Sequence, residues 1–186
     1  MQKSSTHSPL RFSPVLTTQY IDRYGNFHNL PQGTEAKHRL GIFGITINAN
    51  KKLLVTCPPA ATDKPGLPGG GREGIETHAR ALQREYFEEL GPYFVIKRIT
   101  RPVYHQRILY YAFDRDEYWH YEQYFYVVNV HHPKTPASWW TTPEGGRAAW
   151  LPLHKYPSIT ISHKTAIEYH LMTRRSGKLF LVNRRR

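Results

Sequence analysis

Apolar and polar positions fall into patterns that change along the chain. Between residues 39 and 57, Ile42, Phe43, Ile45 and Ile47 supply β-branched and aromatic bulk. Leu53-Leu54-Val55 supplies more after the turn-forming Asn48-Ala49-Asn50, so this segment predicts a β-hairpin. Residues 58–71 are a Pro/Gly loop. Residues 75–90 then take a helical period. Leu82, Tyr86 and Leu90 recur every fourth position with Ala79 nearby, giving one stripe to bury against a sheet. Strand-like runs follow over 94–100, 104–113 and 121–130. His131 to Gly146 reads as loop, broken by Pro133, Pro136, Pro143 and Gly145-Gly146. Ala148 to Leu153 predicts a short strand stopped by Pro152, and Ser162 to Met172 a second helix with Ser162 as N-cap. Strands around one strong helix, with another helix near the end, indicate a mixed α/β domain.

A length of 186 residues fits one domain with decorated ends. Residues 1–36 read as an N-terminal extension of loop and one short strand, with turn signals at Tyr24-Gly25-Asn26 and Pro31-Gln32-Gly33. Residues 37–173 form the domain, and residues 174–186 a basic C-terminal tail. Apolar residues at 39% and charged residues at 22% allow a buried core. The single cysteine, Cys57, excludes an intramolecular disulfide and a Cys-based zinc cluster, and it reads as a structural thiol. No run reaches the roughly 18 apolar residues of a membrane-spanning helix. Met1 to Pro14 is polar and lacks the apolar core of a signal peptide, so a cytoplasmic protein with no membrane partner is expected.

Charge narrows the picture. The chain carries 26 Lys+Arg against 14 Asp+Glu, net +12, which favours an anionic partner. The acids are unevenly spread. From Gly70 to Gly91 there are five acids (Glu73, Glu76, Glu85, Glu88, Glu89) and three bases (Arg72, Arg80, Arg84), net −2; the remaining 23 bases and 9 acids give +14. A basic protein has gathered negative charge into one helix-forming segment.

At about 100° per residue, Glu85, Glu88 and Glu89 share one helix face. Like charges at these spacings destabilise a helix, and acids near a helix C-terminus oppose its dipole. Two readings stand at this point. The face is a solvated acidic surface, or it is a site for hard cations such as Mg²⁺ or Mn²⁺, which take oxygen ligands. The flanks favour the site. Leu67-Pro68-Gly69-Gly70-Gly71 precedes the helix and lets backbone approach a ligand, although no Walker-type Gly-Lys-Ser/Thr follows. Gly91 and Pro92 end the helix.

The stretch from Gly70 through Glu76 to Arg84-Glu85-Tyr86-Phe87-Glu88-Glu89-Leu90-Gly91 resembles the Nudix box. Each fixed glycine and charged position of that pattern is filled at the right spacing. Three positions depart from it: Tyr86 replaces an aliphatic residue, Pro92 the final apolar one, and Pro65 a common Trp. The resemblance is strict over 67–91 and looser for the preceding hairpin and for Ala149-Trp150-Leu151-Pro152-Leu153. It implies an α/β/α sandwich with a mixed β-sheet between helices. It also implies hydrolysis of a nucleoside diphosphate linked to another group X, dependent on Mg²⁺ or Mn²⁺. By position, Glu85 and Glu89 would be the main metal ligands, Glu88 a further ligand or the general base, and the Gly70 carbonyl an additional ligand. Arg84 would hold Glu76 or Glu85 in place. Homodimers are common in the family, and the N-terminal extension offers a surface for one.

Other features carry weaker signals. Glu117, Glu122 and Glu144 are alternative general bases, each more readily read as a surface acid. Tyr110 to Tyr126 holds six tyrosines with Phe113, Trp119 and Phe125; most belong in sheet faces, with one or two lining a base pocket. His131-His132 has no third ligand and reads as an ordinary pair, and His163 and His170 share a helix face in a surface or core role. Arg174-Arg175 and Arg184-Arg185-Arg186 offer RNA phosphates a partner or simply form a solvated terminus. Two further function classes therefore stay in view: a nucleic-acid-binding module, and a nucleotide sensor without turnover.

Overall fold

The computed structural model describes residues 18–61, 63–131 and 139–180. Its strands are β1 (Gln19–Ile21), β2 (Phe27–Asn29), β3 (Lys37–Ile45), β4 (Lys52–Cys57), β5 (Gly69–Gly71), β6 (Val95–Ala112), β7 (Glu117–His131), β8 (Trp140–Thr141) and β9 (Arg147–Pro152). The two α-helices are α1 (His78–Leu90) and α2 (Ile161–Phe180), with short 3-10 turns at Pro59–Ala61 and Leu153–Ser158. One sheet runs β2-β1-β6-β7-β3-β5 and a second runs β4-β9-β8. The larger sheet is mixed: β3 is parallel to β7 and β1 to β6, whereas β6 and β7 form a long antiparallel pair.

Alternation along the strands builds the layers. Ile42, Leu54, Tyr126, Val128 and Ala148 pack with Ala81, Leu82, Tyr86 and Leu90 of α1. Their neighbours Phe43, Leu53, Val55, Phe125 and Ala149 pack with Ala166 and Ile167 of α2. Successive strand residues point to opposite faces, so one set of strands serves both helices. The result is the helix–sheet–helix sandwich with a mixed sheet that the family resemblance implied.

Helix α1 starts later than its periodicity suggests. Thr77 caps it, accepting the Arg80 N–H at 3.3 Å, while Ile75 is fully exposed and Gly74 takes φ +46°. Its buried stripe holds Ala81, and Ala79 faces solvent. Gly91 closes the helix by donating to the Phe87 carbonyl at 2.9 Å.

Several expectations change once long-range pairing is seen. The hairpin over 39–57 survives only at its tip, through the Ile47–Leu53 bridge and a Leu54 N–H to Thr46 carbonyl bond of 2.9 Å. Beyond the tip β3 pairs with β7 and β5, and β4 with β9. β4 and the second half of β3, from Gly41 to Ile45, are buried on both faces, which suits central strands with distant partners. The runs 94–100 and 104–113 are one strand, β6, with register shifts on either side of Pro102. Proline is tolerated there because β1 meets β6 only at Ile21–Tyr110, leaving the Pro102 stretch an open edge. Within the predicted loop 131–146, β8 forms at Trp140–Thr141, while residues 132–138, including His132, lie outside the described residues. Helix α2 begins before Ser162, so Thr160 occupies the turn and its carbonyl accepts from His163 and Lys164. The helix runs on to Phe180, through Arg174 and Arg175; Arg184, Arg185 and Arg186 lie outside the described residues. The extension contains β1 and β2, an antiparallel pair joined to the sheet edge.

Tyr86, the unexpected aromatic in the charged helix, has a specific seat. Its ring lies where a side chain on Gly44 would be, and its hydroxyl shares a 2.7 Å bond with Thr46 Oγ1. Thr46 in turn donates to the Val128 carbonyl at 3.0 Å. Tyr86→Phe is expected to cost about 1 kcal/mol, the net value of one buried hydrogen bond, measured by urea unfolding.

Candidate active site

The glycine strand and the acidic helix meet at the edge of the larger sheet. β5 is the outermost strand, so alternate backbone groups face away from β3. The register sets Gly70 opposite Ile42, between the bonded pairs Pro68–Gly44 and Arg72–Leu40. Gly70 therefore points its peptide groups at β3, and Gly69 and Gly71 turn theirs toward α1. The Gly69 N–H donates to Glu89 Oε2 at 2.8 Å, and the Gly71 carbonyl accepts from Arg84 Nη2 at 2.8 Å. The missing side chain at Gly70 makes room for Glu85: a Cβ there would lie 2.5 Å from Glu85 Oε1.

Arg84 ties the helix face together. Its Nε and Nη2 reach Glu76 at 3.4 and 2.8 Å, and its Nη1 reaches Glu85 at 2.8 Å and Glu88 at 3.1 Å. The planar guanidinium suits such divided donation. These bonds, led by Glu76, hold Arg84 above its ordinary pKa and Glu76 below its own. Sequence reasoning offered Glu76 or Glu85 as the partner of Arg84; the structure gives it both, and Glu88 as well.

Glu85 and Glu89 line one cleft of about 320 Å³. Burial pushes the Glu85 carboxyl up to about 7, against the pull of Arg84. Burial also pushes Glu89 well above the usual carboxylate range, opposed by the Gly69 N–H and Thr56 hydroxyl that bond it. The charge of Glu144, on the turn between β8 and β9, raises both. Desolvated acids of one sign are short of positive charge. Among the described residues no three His, Cys, Asp or Glu side chains converge into a closed metal cage. Mg²⁺ does not require one, since it is commonly held by one or two carboxylates with water and substrate phosphates completing its shell. The donor set present, anionic oxygens in a desolvated cleft, fits such a cation.

The sign of the pH effect follows. A carboxyl with a raised folded-state pKa stabilises the fold below its unfolded value, near 4.5 for Glu85, and loses that contribution as pH rises through about 7. Below about pH 6.5 the buried His163 and His170, whose folded-state pKa values are depressed, act in the opposite sense, so in EDTA the fall in melting temperature is expected from about pH 6.5 to pH 8. Mg²⁺ or Mn²⁺ should restore much of the loss by replacing protons on these oxygens. A melting series with and without Mn²⁺ checks this; a flat or rising metal-free curve contradicts it.

The rest of the cleft is aromatic and polar. On β7, Trp119, Tyr121 and Gln123 alternate onto the cleft side, and Tyr110 of β6 joins them. Tyr124 and Tyr126 take the opposite face, where they pack with His78, the first residue of α1. His163 is a buried structural group: its Nδ1 accepts the Leu67 N–H at 2.9 Å, and burial depresses its pKa to about 3. His170 is also buried. Cys57 is a buried thiol whose pKa burial raises. Of the alternative bases, Glu117 is bonded by Lys37 and Trp119 and held down to about 2. Glu122 is bonded by Tyr124, His105 and Arg107 on the other sheet face. Arg23, Thr56 and Gln123 also line the cleft, and no local motif marks them.

Comparison with known proteins adds to this geometry. The family model described as NUDIX domain matches residues 37–174. Among solved structures, the fold resembles a nudix hydrolase family member from Chromobacterium violaceum, with TM-score 0.53 and 18% identity over 78% of this chain and 81% of that one. It also resembles a mutator MutT protein from Bacillus halodurans, with TM-score 0.50 and 18% identity over 70% and 80%. A MutT NUDIX hydrolase from Burkholderia pseudomallei aligns at TM-score 0.48 and 22% identity over 72% and 98%. At these identities the likeness concerns the fold. No curated protein matches the chain in sequence. Among the described residues no helix is long and apolar enough to cross a membrane.

Proposed function

Because the chain belongs to the NUDIX domain family of pyrophosphohydrolases, we propose that it cleaves the diphosphate of a nucleoside diphosphate linked to a group X, using Mg²⁺ or Mn²⁺. The observation that carries this reading is the pair Glu85 and Glu89, desolvated and one helical turn apart, facing a cleft with an aromatic wall. Glu85 and Glu89 would hold the metal, with Glu88 beside them. On the backbone, the Gly69 carbonyl suits this edge better than the Gly70 carbonyl, because Gly70 is turned toward β3. A bound divalent cation would neutralise the diphosphate and acidify water.

The protein's own groups do the rest. Arg84 fixes Glu85 and Glu88 so that neither must reorganise. Trp119, Tyr110 and Tyr121 offer faces for a nucleobase. Glu88 is assigned the role of general base, with Glu144 its competitor because its charge reaches both Glu85 and Glu89. Glutamine variants of each should separate them: loss of the base removes the acidic limb of the pH–rate profile.

The test of the function is a hydrolysis screen with Mg²⁺ and Mn²⁺ over ADP-ribose, dinucleoside polyphosphates, sugar nucleotides, nucleoside triphosphates and capped RNA. Metal-dependent release of a nucleoside monophosphate or an equivalent phosphate product from at least one of them is expected. No turnover on any, with nucleotide binding retained, would favour a sensor. RNA binding with a steep salt slope and no turnover would favour a nucleic-acid module.

A further inference from the structure

We propose that Arg23, supplied by the N-terminal extension, binds an oxyanion of the substrate inside the cleft that holds Glu85 and Glu89. The proposal rests on reading that cleft as the nucleotide site, and it concerns a residue outside the 37–174 stretch the family model matches.

Arg23 lines the cleft and is partly buried. Its Nη2 donates to the Lys64 carbonyl at 2.9 Å, while its Nε is buried with no protein partner. A buried guanidinium donor without a partner is costly, and an oxyanion is the group that satisfies it best. The adjacent acid does not neutralise this charge. The Asp22 carboxylate is already taken by the backbone N–H groups of Tyr24, Gly25 and Asn26, and by the side chains of Asn26 and His28. Asp22 therefore builds the turn and leaves Arg23 as an open cation.

The turn is also anchored from outside. The Tyr24 hydroxyl donates to Asp63 at 3.0 Å, and its ring lies 5.6 Å from that of Phe113 on the β6–β7 turn. Thr160 donates to the Arg23 carbonyl at 3.2 Å. Arg23 is thus held before any ligand arrives, which lowers the ordering cost of binding. Tyr110, Trp119 and Tyr121 line the same cleft as Arg23, so the anion it takes lies beside the aromatic wall. The chemical class is a nucleotide phosphate, which a guanidinium can grip with two parallel bonds.

The test compares wild type, Arg23→Gln and Arg23→Lys, with ADP and inorganic pyrophosphate as probes. Binding is read in EDTA by tryptophan fluorescence, so it does not depend on the metal assignment. Arg23→Gln should weaken both probes by about fivefold or more, the worth of one charge-assisted bond, and Arg23→Lys by less. With metal and a substrate from the hydrolysis screen, KM should rise while kcat stays within about twofold, as for loss of uniform binding. Unchanged affinity in Arg23→Gln overturns the proposal. Equal weakening in both variants with a lowered melting temperature also overturns it, since the residue would then be structural. A failed hydrolysis screen would count against the function and leave the EDTA result to be judged separately.

Discussion

Glu89→Gln should reduce metal-dependent turnover by about a thousandfold, roughly 4 kcal/mol of transition-state stabilisation, without harming the fold. Both carboxylate oxygens are in use: Oε2 accepts the Gly69 N–H and Oε1 accepts the Thr56 hydroxyl. A glutamine can keep both contacts. Its carbonyl can face Gly69, and its amide can donate to the Thr56 oxygen, since a hydroxyl donates or accepts. What disappears is the negative charge. That charge is expensive to keep in a desolvated cleft, so the variant should melt at or above the wild-type temperature in EDTA. It should also lose much of the stabilisation Mn²⁺ gives. Steady-state kinetics beside melting curves test both halves. Turnover equal to wild type would remove Glu89 from the site, and a lower melting temperature would show that its charge supports the fold.

The parts of the candidate site that were legible in the sequence are those fixed by local spacing. Glu85, Glu88 and Glu89 had to share a helix face, and the glycine run had to bring backbone near them. The resemblance to the Nudix box added Arg84 as the tether of Glu76 or Glu85; its further bond to Glu88 lies one helical turn on along the same helix. What stayed hidden depends on long-range pairing. Nothing near Arg23 marks it as a cleft residue; it arrives there because β1 lies beside β6 at Tyr110. The hairpin over 39–57 looked self-contained because its two strands are both apolar. That same property sends them to different sheets, where both faces can be covered. Glu144 resembled Glu117 and Glu122 as an isolated acid in sequence. Only folding shows that Glu117 and Glu122 are tied up by bases and hydroxyl or indole donors, while the charge of Glu144 acts on Glu85 and Glu89. The aromatic run was divided by strand alternation, and its period of two could have been read: Trp119, Tyr121 and Gln123 go to one face, Tyr124 and Tyr126 to the other.

Alanine at the three consecutive glycines of β5 should separate stability from activity. Gly69 has φ +132°, a conformation side chains rarely adopt, and a Cβ there would lie 2.1 Å from the Ile42 carbonyl oxygen and 2.8 Å from Phe43 Cα. Both are backbone atoms of β3, which is held between β7 and β5 and cannot yield. Gly69→Ala is therefore expected to cost about 3 kcal/mol or more, combining backbone strain with overpacking. That is a drop of roughly 6–12 °C in melting temperature for a domain of this size. Because β5 must shift, the Gly69 N–H also leaves Glu89, and activity should fall with stability. At Gly70 the obstructing atoms belong to the end of the Glu85 side chain. Gly70→Ala should push that carboxylate aside at little cost in stability. Its kcat should fall by about a hundredfold, the usual price of misplacing a catalytic group by about an ångström. At Gly71 a Cβ meets nothing within 4 Å, so Gly71→Ala should stay near wild type in both measurements. Thermal melting and kcat for the three variants should therefore give three different signatures. A stable and active Gly69→Ala would mean that β5 does not bind Glu89 to the sheet, and an active Gly70→Ala would mean that Glu85 need not occupy its observed position.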